Sequence, residues 1–370
     1  MSAFDRMTGQ LTIDVGAVVA NWRTIQSHVG PNVQAAAVVK ADAYGLGMDP
    51  IAPALARAGC RTFFVATIDE GIALRRLCRK ARILVLCGPL PGSAAEFHQH
   101  DLCPVLNSLD QIGLWAGYAA AIGSRLDCAL HLDTGMTRLG LDVADIKTLQ
   151  ADADMLNGLN VMVVMSHMAC ADETAHPLNG QQLQLFQHLS QDFSATVQRS
   201  LAASSAVFLG SAHHQDLVRP GAALYGINPV PGQPNPMQPV VHLEAKILQV
   251  RDVDSPQTVG YGATHPVSGP GRLATVAAGY ADGLHRMLGN RGYGILGGVR
   301  VPVVGRISMD LTTFDVSAVP RPLAFPGASI QLIGADHPVD ELAAEAGTIG
   351  YEILTSLGQR YGRVYLDGTV

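Results

Sequence analysis

Residues Ala35–Lys40 read AAAVVK, a run of small and β-branched apolar residues that ends directly on a lysine. Such a run is expected of a strand buried on both faces, as in a parallel sheet covered by helices. Working outward, similar runs occur at Phe63–Ala66, Ile83–Cys87, Cys103–Leu106, Cys128–Leu132, Val161–Met165, Leu201–Ala203 and Ala222–Tyr225. Counting Ala35–Val39, that makes eight. The stretches between them, among them Ile51–Ala58, Glu70–Cys78, Leu109–Ala121 and Leu183–Gln198, carry apolar residues at helical spacing. Eight βα units predict an α/β fold of the (β/α)8, TIM-like barrel kind rather than an open doubly wound sheet.

The texture changes at Pro229–Pro239, where PVPGQPNPMQP holds five prolines and reads as an extended connector. Beyond it, Val241, Leu243, Ala245 and Ile247 alternate with His242, Glu244 and Lys246, the period of a half-buried strand. Further strand-like runs at Leu273–Ala277, Gly298–Val304, Leu311–Val316 and Ser329–Ile333 predict a mainly β C-terminal domain, closed by helices near Val339–Ala346 and Ile349–Leu357. The expected division is a barrel over residues 1–235, its first ten or so free to pack with the second domain, and a β domain over 236–370.

Composition narrows the class. Of 370 residues, 48% are hydrophobic, which excludes a disordered chain, and 15% are charged, which fits a large core or an interface hidden from water. A net charge of −6 gives no basic stripe for nucleic acid. No apolar run is long enough to span a bilayer, and Asp5 and Arg6 interrupt the place of a signal peptide, so a cytoplasmic protein with no membrane partner is expected. Six scattered cysteines form no CxxC pair, hence neither a metal site nor a disulfide framework. No GxGxxG or Walker loop supports a nucleotide cofactor.

In barrels of this kind chemistry gathers at the carboxyl ends of the strands. Lys40 follows the first run, Asp133 and then Arg138 the fifth, Ser166 and His167 the sixth, Ser204 and Ser205 the seventh. Each alone has an ordinary reading: a snorkelling lysine, a hydrogen-bonded core histidine, a packing tyrosine at Tyr44, Tyr225 or Tyr261. Their coincidence on four strand ends predicts convergence on one mouth.

AVVKADAYGLG (Ala37–Gly47) resembles the cofactor-lysine segment of alanine racemases. So do DTGMTRLG (Asp133–Gly140), SHMACAD (Ser166–Asp172), VRPGAALYG (Val218–Gly226), VGYGAT (Val259–Thr264), GYADG (Gly279–Gly283) and VGRISMD (Val304–Asp310), in order, over nearly the whole chain from about Leu11. The resemblance implies a pyridoxal 5'-phosphate barrel followed by a β domain, acting on L-alanine and D-alanine as a head-to-tail homodimer with composite sites. Lys40 would carry the cofactor as a Schiff base and later act as acid–base group for the D-enantiomer. Tyr261, hydrogen-bonded to His167 of the other subunit, would serve the L-enantiomer.

The resemblance further implies that Arg219 faces the pyridine nitrogen and, as a donor that keeps its proton, leaves that nitrogen unprotonated. Tyr44, Ser204, the backbone at Gly221 and Ala222, and Tyr351 would hold the phosphate. Arg138 would contact the cofactor's phenolic oxygen and the substrate carboxylate, with the Met309 backbone completing the latter. Tyr280, Arg286, Arg306 and Ile349 match residues lining substrate access. Two positions depart from the family. His131 stands where many members carry a lysine as carbamate, and Ala203 where many have asparagine. The implied role is D-alanine supply for peptidoglycan. A racemase of broader or serine preference, a non-catalytic barrel that binds the cofactor, and a barrel-type decarboxylase are the alternatives; the β domain with Tyr261 disfavours the second, and Arg219 with the Tyr261 segment the third.

Overall fold

The structure, a computed structural model, describes residues 6–254 and 256–367. Two compact units emerge: 18–224 with 228–238, and 6–17 with 225–227 and 239–367.

In the first unit seven parallel strands follow in chain order: Ala37–Val38, Thr62–Val65, Arg82–Val85, Cys103–Leu106, Leu126–His131, Leu159–Met165 and Gln198–Ser200. Leu217–Val218 closes the ring. It pairs with Gln34–Ala35 on one side, and on the other Asp216 and Arg219 donate backbone N–H groups to Arg199 and Ala202. Closure removes the unpaired edges of an open sheet. The strands are nearly all buried, which is why they read as unbroken apolar runs.

Helices alternate with the strands, and several begin on side-chain caps. Thr67 and Glu70 form a capping box for Ile68–Leu77, Ser108 caps Leu109–Ile122, and Asp142 and Asp145 box Val143–Ala151. Such a cap is worth ~1 kcal/mol. The connector belongs to this unit: the buried Asn21 amide donates to the carbonyls of Leu224 and Gln238 and accepts from the Gln238 N–H.

Two of the eight predicted barrel strands are displaced. The seventh is Gln198–Ser200, upstream of Leu201–Ala203. Arg199 masks it in the sequence, because its guanidinium turns back to the Ser190, Phe193 and Val197 carbonyls. Ala222–Tyr225 is a 3-10 turn, and the eighth strand is Leu217–Val218. A fully buried short apolar run does not by itself distinguish helix from strand. The fourth predicted helix also shifts, from Leu183–Gln198 to Pro177–Ser190, opening on a proline suited to a helix start.

The second unit is built on an eight-stranded sheet. Its central strand, Val241–Val253, is the predicted alternating one, and residues 241–247 alternate buried and half-buried. It pairs with Gly9–Asp14, Ser329–Ile333 and Gly271–Val276. Gly9–Asp14 also pairs in parallel with Gly362–Leu366. Helices Val339–Ala346 and Gly350–Ser356 follow the strands. Among the described residues no helix is long and apolar enough to cross a membrane.

Candidate active site

Lys40 starts an unusual turn. Ala41, Asp42, Ala43 and Tyr44 all have φ between 53° and 57°, a left-handed run that costs about 1–2 kcal/mol per residue. Two carboxylates hold it in place. Glu70 accepts from the Ala41 N–H (2.7 Å) and the Ala66 N–H (2.7 Å), and Asp42 accepts from the Met48 N–H (2.7 Å). Strain of this kind persists only where the surroundings over-determine it, and it gathers at functional positions. The Lys40 amine lies below the ordinary lysine pKa, first because burial disfavours its charge and then because Arg138 and Arg219 repel it. Glu70 and Cys87 oppose the shift.

Arg219 is the best-fixed cation of the mouth, at 3% exposure. One guanidinium nitrogen donates to the Ser200 carbonyl (2.9 Å) and hydroxyl (2.6 Å), the other to the Ser166 carbonyl (2.6 Å). Burial pulls its pKa down to about 10, still far enough above neutrality to keep it charged. Its second nitrogen also lies 3.4 Å from His167 Nδ1. Because guanidinium only donates, Nδ1 accepts, and the neutral His167 ring carries its proton on Nε2. The His167 backbone is fixed too: its carbonyl accepts from Gln182, whose other amide atom accepts from the Ala169 N–H.

Arg138 sits on a loop closed at its base by backbone bonds between Leu141 and residues 131 and 133. The Asp133 carboxylate accepts from three successive N–H groups, those of Gly135, Met136 and Thr137. The Ser204 hydroxyl accepts from the N–H groups of Gly221 (3.0 Å) and Ala223 (3.1 Å). A Cβ on Gly221 would collide with the Tyr44 hydroxyl, so glycine is what lets that phenol approach the backbone. Lys40, Tyr44, Arg138, His167, Ser204, Arg219, Gly221 and Ala222 thus all lie in the first unit, where mutual charge effects and contacts tie them together.

Burial and the same cations depress both histidines of the mouth. His167 falls to about 3, through burial, then Arg219, Arg138, His131 and Lys40. His131 falls to about 4, through burial, then Arg219, with Asp133 opposing and Arg138 adding. Folded-state values below the unfolded ~6.5 mean that the folded protein binds fewer protons. The stability they contribute is full above pH ~6.5 and is lost as pH falls toward 4. Each ring should cost about 2 kcal/mol at pH 5. Urea midpoints should therefore drop from pH 7 to pH 5, and the drop should shrink when both rings are replaced by glutamine.

The second unit presents Tyr261, Tyr280, Arg286, Arg306 and Met309 on loops and short 3-10 turns, and Ile349 and Tyr351 at the start of the helix Gly350–Ser356. Gly262 has φ +73° and a Cβ on it would meet the Arg306 guanidinium, while one on Gly260 would meet the Arg306 backbone, so Tyr261 is flanked by two contacts with that arginine. The Tyr280 and Ala281 N–H groups donate to the carbonyls of Ser308 and Met309. Arg360 ties this layer by bonding both Asp282 and Asp310. Tyr261 is 72% exposed, Ile349 60% and Met309 53%, with Tyr280, Tyr351, Arg286 and Arg306 exposed as well. Sequence reasoning passed over Asn107 and Glu70. Asn107 directly follows the strand Cys103–Leu106, so the strand-end rule applied to Lys40 points to it as well.

Two family models match the chain: the alanine racemase N-terminal domain over residues 13–229 and the alanine racemase C-terminal domain over 240–365. The chain belongs to the alanine racemase family. It is 51% identical to an alanine racemase of Rhodospirillum rubrum, covering 98% of this chain and 96% of that one. It is 48% identical to a catabolic alanine racemase of Agrobacterium fabrum, covering 97% and 92%. Among solved structures, the alanine racemase of Bartonella henselae with covalently bound pyridoxal phosphate superposes with a TM-score of 0.93 at 39% identity, covering 97% and 99%. The chain therefore has the family's fold in both units.

Proposed function

We propose that this chain is a pyridoxal 5'-phosphate-dependent racemase that interconverts L-alanine and D-alanine through two bases on opposite faces of the substrate. It acts as a cytoplasmic homodimer and supplies D-alanine for peptidoglycan. The observation that carries the reading is a half-desolvated Lys40 amine in one mouth with a fully anchored Arg219. The mouth suits the cofactor. The Ser204 hydroxyl, which accepts from the Gly221 and Ala223 N–H groups, has its own proton to donate, and with the Tyr44 hydroxyl and the Ala222 backbone would hold a phosphate. His167 and Arg219 would supply donors held in place around a ring, and Arg138 an exposed one.

When bound, pyridoxal phosphate supplies an electron sink that acidifies the α C–H of an attached amino acid. The protein's part is placement and proton handling. A lysine kept below its usual pKa is more often neutral, as both cofactor attachment and proton removal from D-alanine require. Arg219 keeps its own proton, so an acceptor atom set against it stays unprotonated. That weakens the sink enough to favour proton exchange over side reactions. The Arg138 fork would hold the substrate carboxylate.

Tyr261, presented almost bare on its own unit, would serve the opposite face in the partner subunit. There, His167 with its proton on Nε2 offers the phenol oxygen a donor. The exposed set around Tyr261, Tyr280, Met309 and Ile349 is the kind of surface that a second copy covers. The test is a paired assay in deuterated water. Each alanine enantiomer should give the other and gain deuterium at Cα. Release of carbon dioxide or pyruvate as the main product would overturn the reading. For the cellular role, the gene should restore growth without D-alanine to a bacterium lacking its own racemase.

A further inference from the structure

Tyr261 stands on a hairpin that the main sheet of its unit does not hold. Gln257–Val259 and His265–Val267 pair with each other, Gln257 opposite Val267 and Val259 opposite His265, and with no other strand among the described residues. A lone two-stranded ribbon is marginally stable in water, so on its own it would leave the phenol at its tip loosely placed. A proton carrier works only within hydrogen-bond reach of the proton it takes, so the ribbon needs support from outside.

That support is the segment around Gly305. The neighbouring Val304 N–H donates to the Thr313 carbonyl, and Thr312–Asp315 pairs with Gly271–Val276, which anchors the segment to the main sheet. Gly305 lies tight against the first strand of the hairpin, where a Cβ on it would come within 2.8 Å of the Val259 carbonyl oxygen. Asn290 joins the same support to the far side of the loop. Its Oδ1 accepts from the Gly305 N–H (2.6 Å), and its Nδ2 donates to Thr264 Oγ1 (3.2 Å). Only the oxygen can accept from an N–H, so Gly305 fixes which way the amide faces and leaves its nitrogen for Thr264. Thr264 directly follows the turn Tyr261–Ala263. Tyr261 is thus bracketed by two attachments to one support: Val259 against Gly305 before it, and Thr264 through Asn290 after it. Asn290 itself sits at φ 58°, a conformation asparagine tolerates better than most residues.

We propose that Asn290 is a positioning residue for the racemase reaction: by bridging Gly305 and Thr264 it holds the hairpin tip, and with it the Tyr261 phenol, where the second base must stand. This deepens the reading of Tyr261 as the base for L-alanine and rests on it. Asn290 acts through the hairpin backbone and contributes no atom to the proton transfer.

Two variants of the holoenzyme test it. Asn290→Gly removes the amide and keeps the positive φ, and Thr264→Val removes only the hydroxyl that Asn290 reaches. Amide deuterium uptake read by mass spectrometry should quicken in peptides covering residues 257–267 in both variants, about 10-fold for the first and about 3-fold for the second, the scale of two lost neutral hydrogen bonds and of one. Unchanged protection of the hairpin overturns the proposal. Exchange of the L-alanine α-proton with deuterated solvent should slow by the same factors, whereas D-alanine, whose proton Lys40 takes, should exchange near the wild-type rate. A merely structural defect would slow both enantiomers alike, so equal loss for the two, or none for either, overturns the proposal. In a Tyr261→Phe background, adding Asn290→Gly should leave the residual racemisation unchanged, and a further fall overturns it. Failure of the Tyr261 reading shows differently: Tyr261→Phe alone would then exchange both enantiomers equally, while deuterium uptake still reports whether Asn290 holds the hairpin.

Discussion

Lys40→Ala should leave a folded protein that neither retains pyridoxal phosphate through gel filtration nor racemises alanine. The expectation follows from where Lys40 sits. Its backbone ends a barrel strand, and the turn after it is held by Glu70 and Asp42, whose bonds go to main-chain N–H groups at Ala41, Ala66 and Met48. None of these bonds uses the lysine side chain, so its removal spares the local fold. What is lost is an amine close enough to Arg138 and Arg219 to feel both charges and kept below its usual pKa first by burial. Truncation also takes away a cation that those arginines repel, so thermal stability should hold or rise slightly.

Lys40→Arg sharpens the experiment. It keeps the positive charge and much of the bulk but supplies no neutral amine near pH 7. If Lys40 acted only as a charge, arginine would preserve activity. If it acts as nucleophile and base, arginine should be as inactive as alanine. Borohydride treatment followed by peptide mapping gives a readout independent of turnover: the cofactor label should fall on the peptide containing Lys40 in the wild type and on none in either variant. A label on another lysine in the wild type would overturn the assignment.

Which parts of this were legible in the sequence follows from how burial writes itself into residue types. Barrel strands covered on both faces appear as apolar runs, and those at Phe63, Ile83, Cys103, Cys128 and Val161 were visible for that reason. The ring's last two strands were not, because Arg199 carries charge inside one and the other, Leu217–Val218, is only two residues long. In the second unit, Gly9–Asp14 alternates Leu11 and Ile13 with Gln10 and Thr12, the same signal that exposed Val241–Ile247. It went unread as a strand because its partners lie more than two hundred residues further along the chain, although the first ten or so residues were expected to be free to pack with the second domain.

The site residues divide in the same way. Side chains at strand ends, such as Lys40 and His167, could be found by position. Asn107 obeys the same rule, but the hydrogen bonds that orient its amide are something no residue pattern carries. The left-handed turn after Lys40 was hidden more thoroughly. Alanine and tyrosine give no hint of positive φ, and the Glu70 and Asp42 carboxylates, accepting from the Ala41 and Met48 N–H groups, override their local preference.

Tyr261→Phe tests the opposite face. The substitution removes one oxygen from a side chain that is 72% exposed on its own unit, so the fold and the cofactor's spectrum should survive. Racemisation should fall by about 10²- to 10⁴-fold, the usual contribution of a placed acid–base group. The loss should also be lopsided. With Lys40 intact, D-alanine should still exchange its α-proton with deuterated solvent, whereas L-alanine, whose proton faces the missing phenol, should not. Equal exchange of both enantiomers would remove Tyr261 from the mechanism. Mixing this variant with Lys40→Ala then asks whether sites are shared. If each site joins one subunit's Lys40 to the partner's Tyr261, a heterodimer of two dead chains contains one site with both groups and one with neither. Random re-pairing makes half the dimers mixed, so about a quarter of wild-type activity should return. A site built within one chain would give none, because every chain in the mixture lacks one of its two bases.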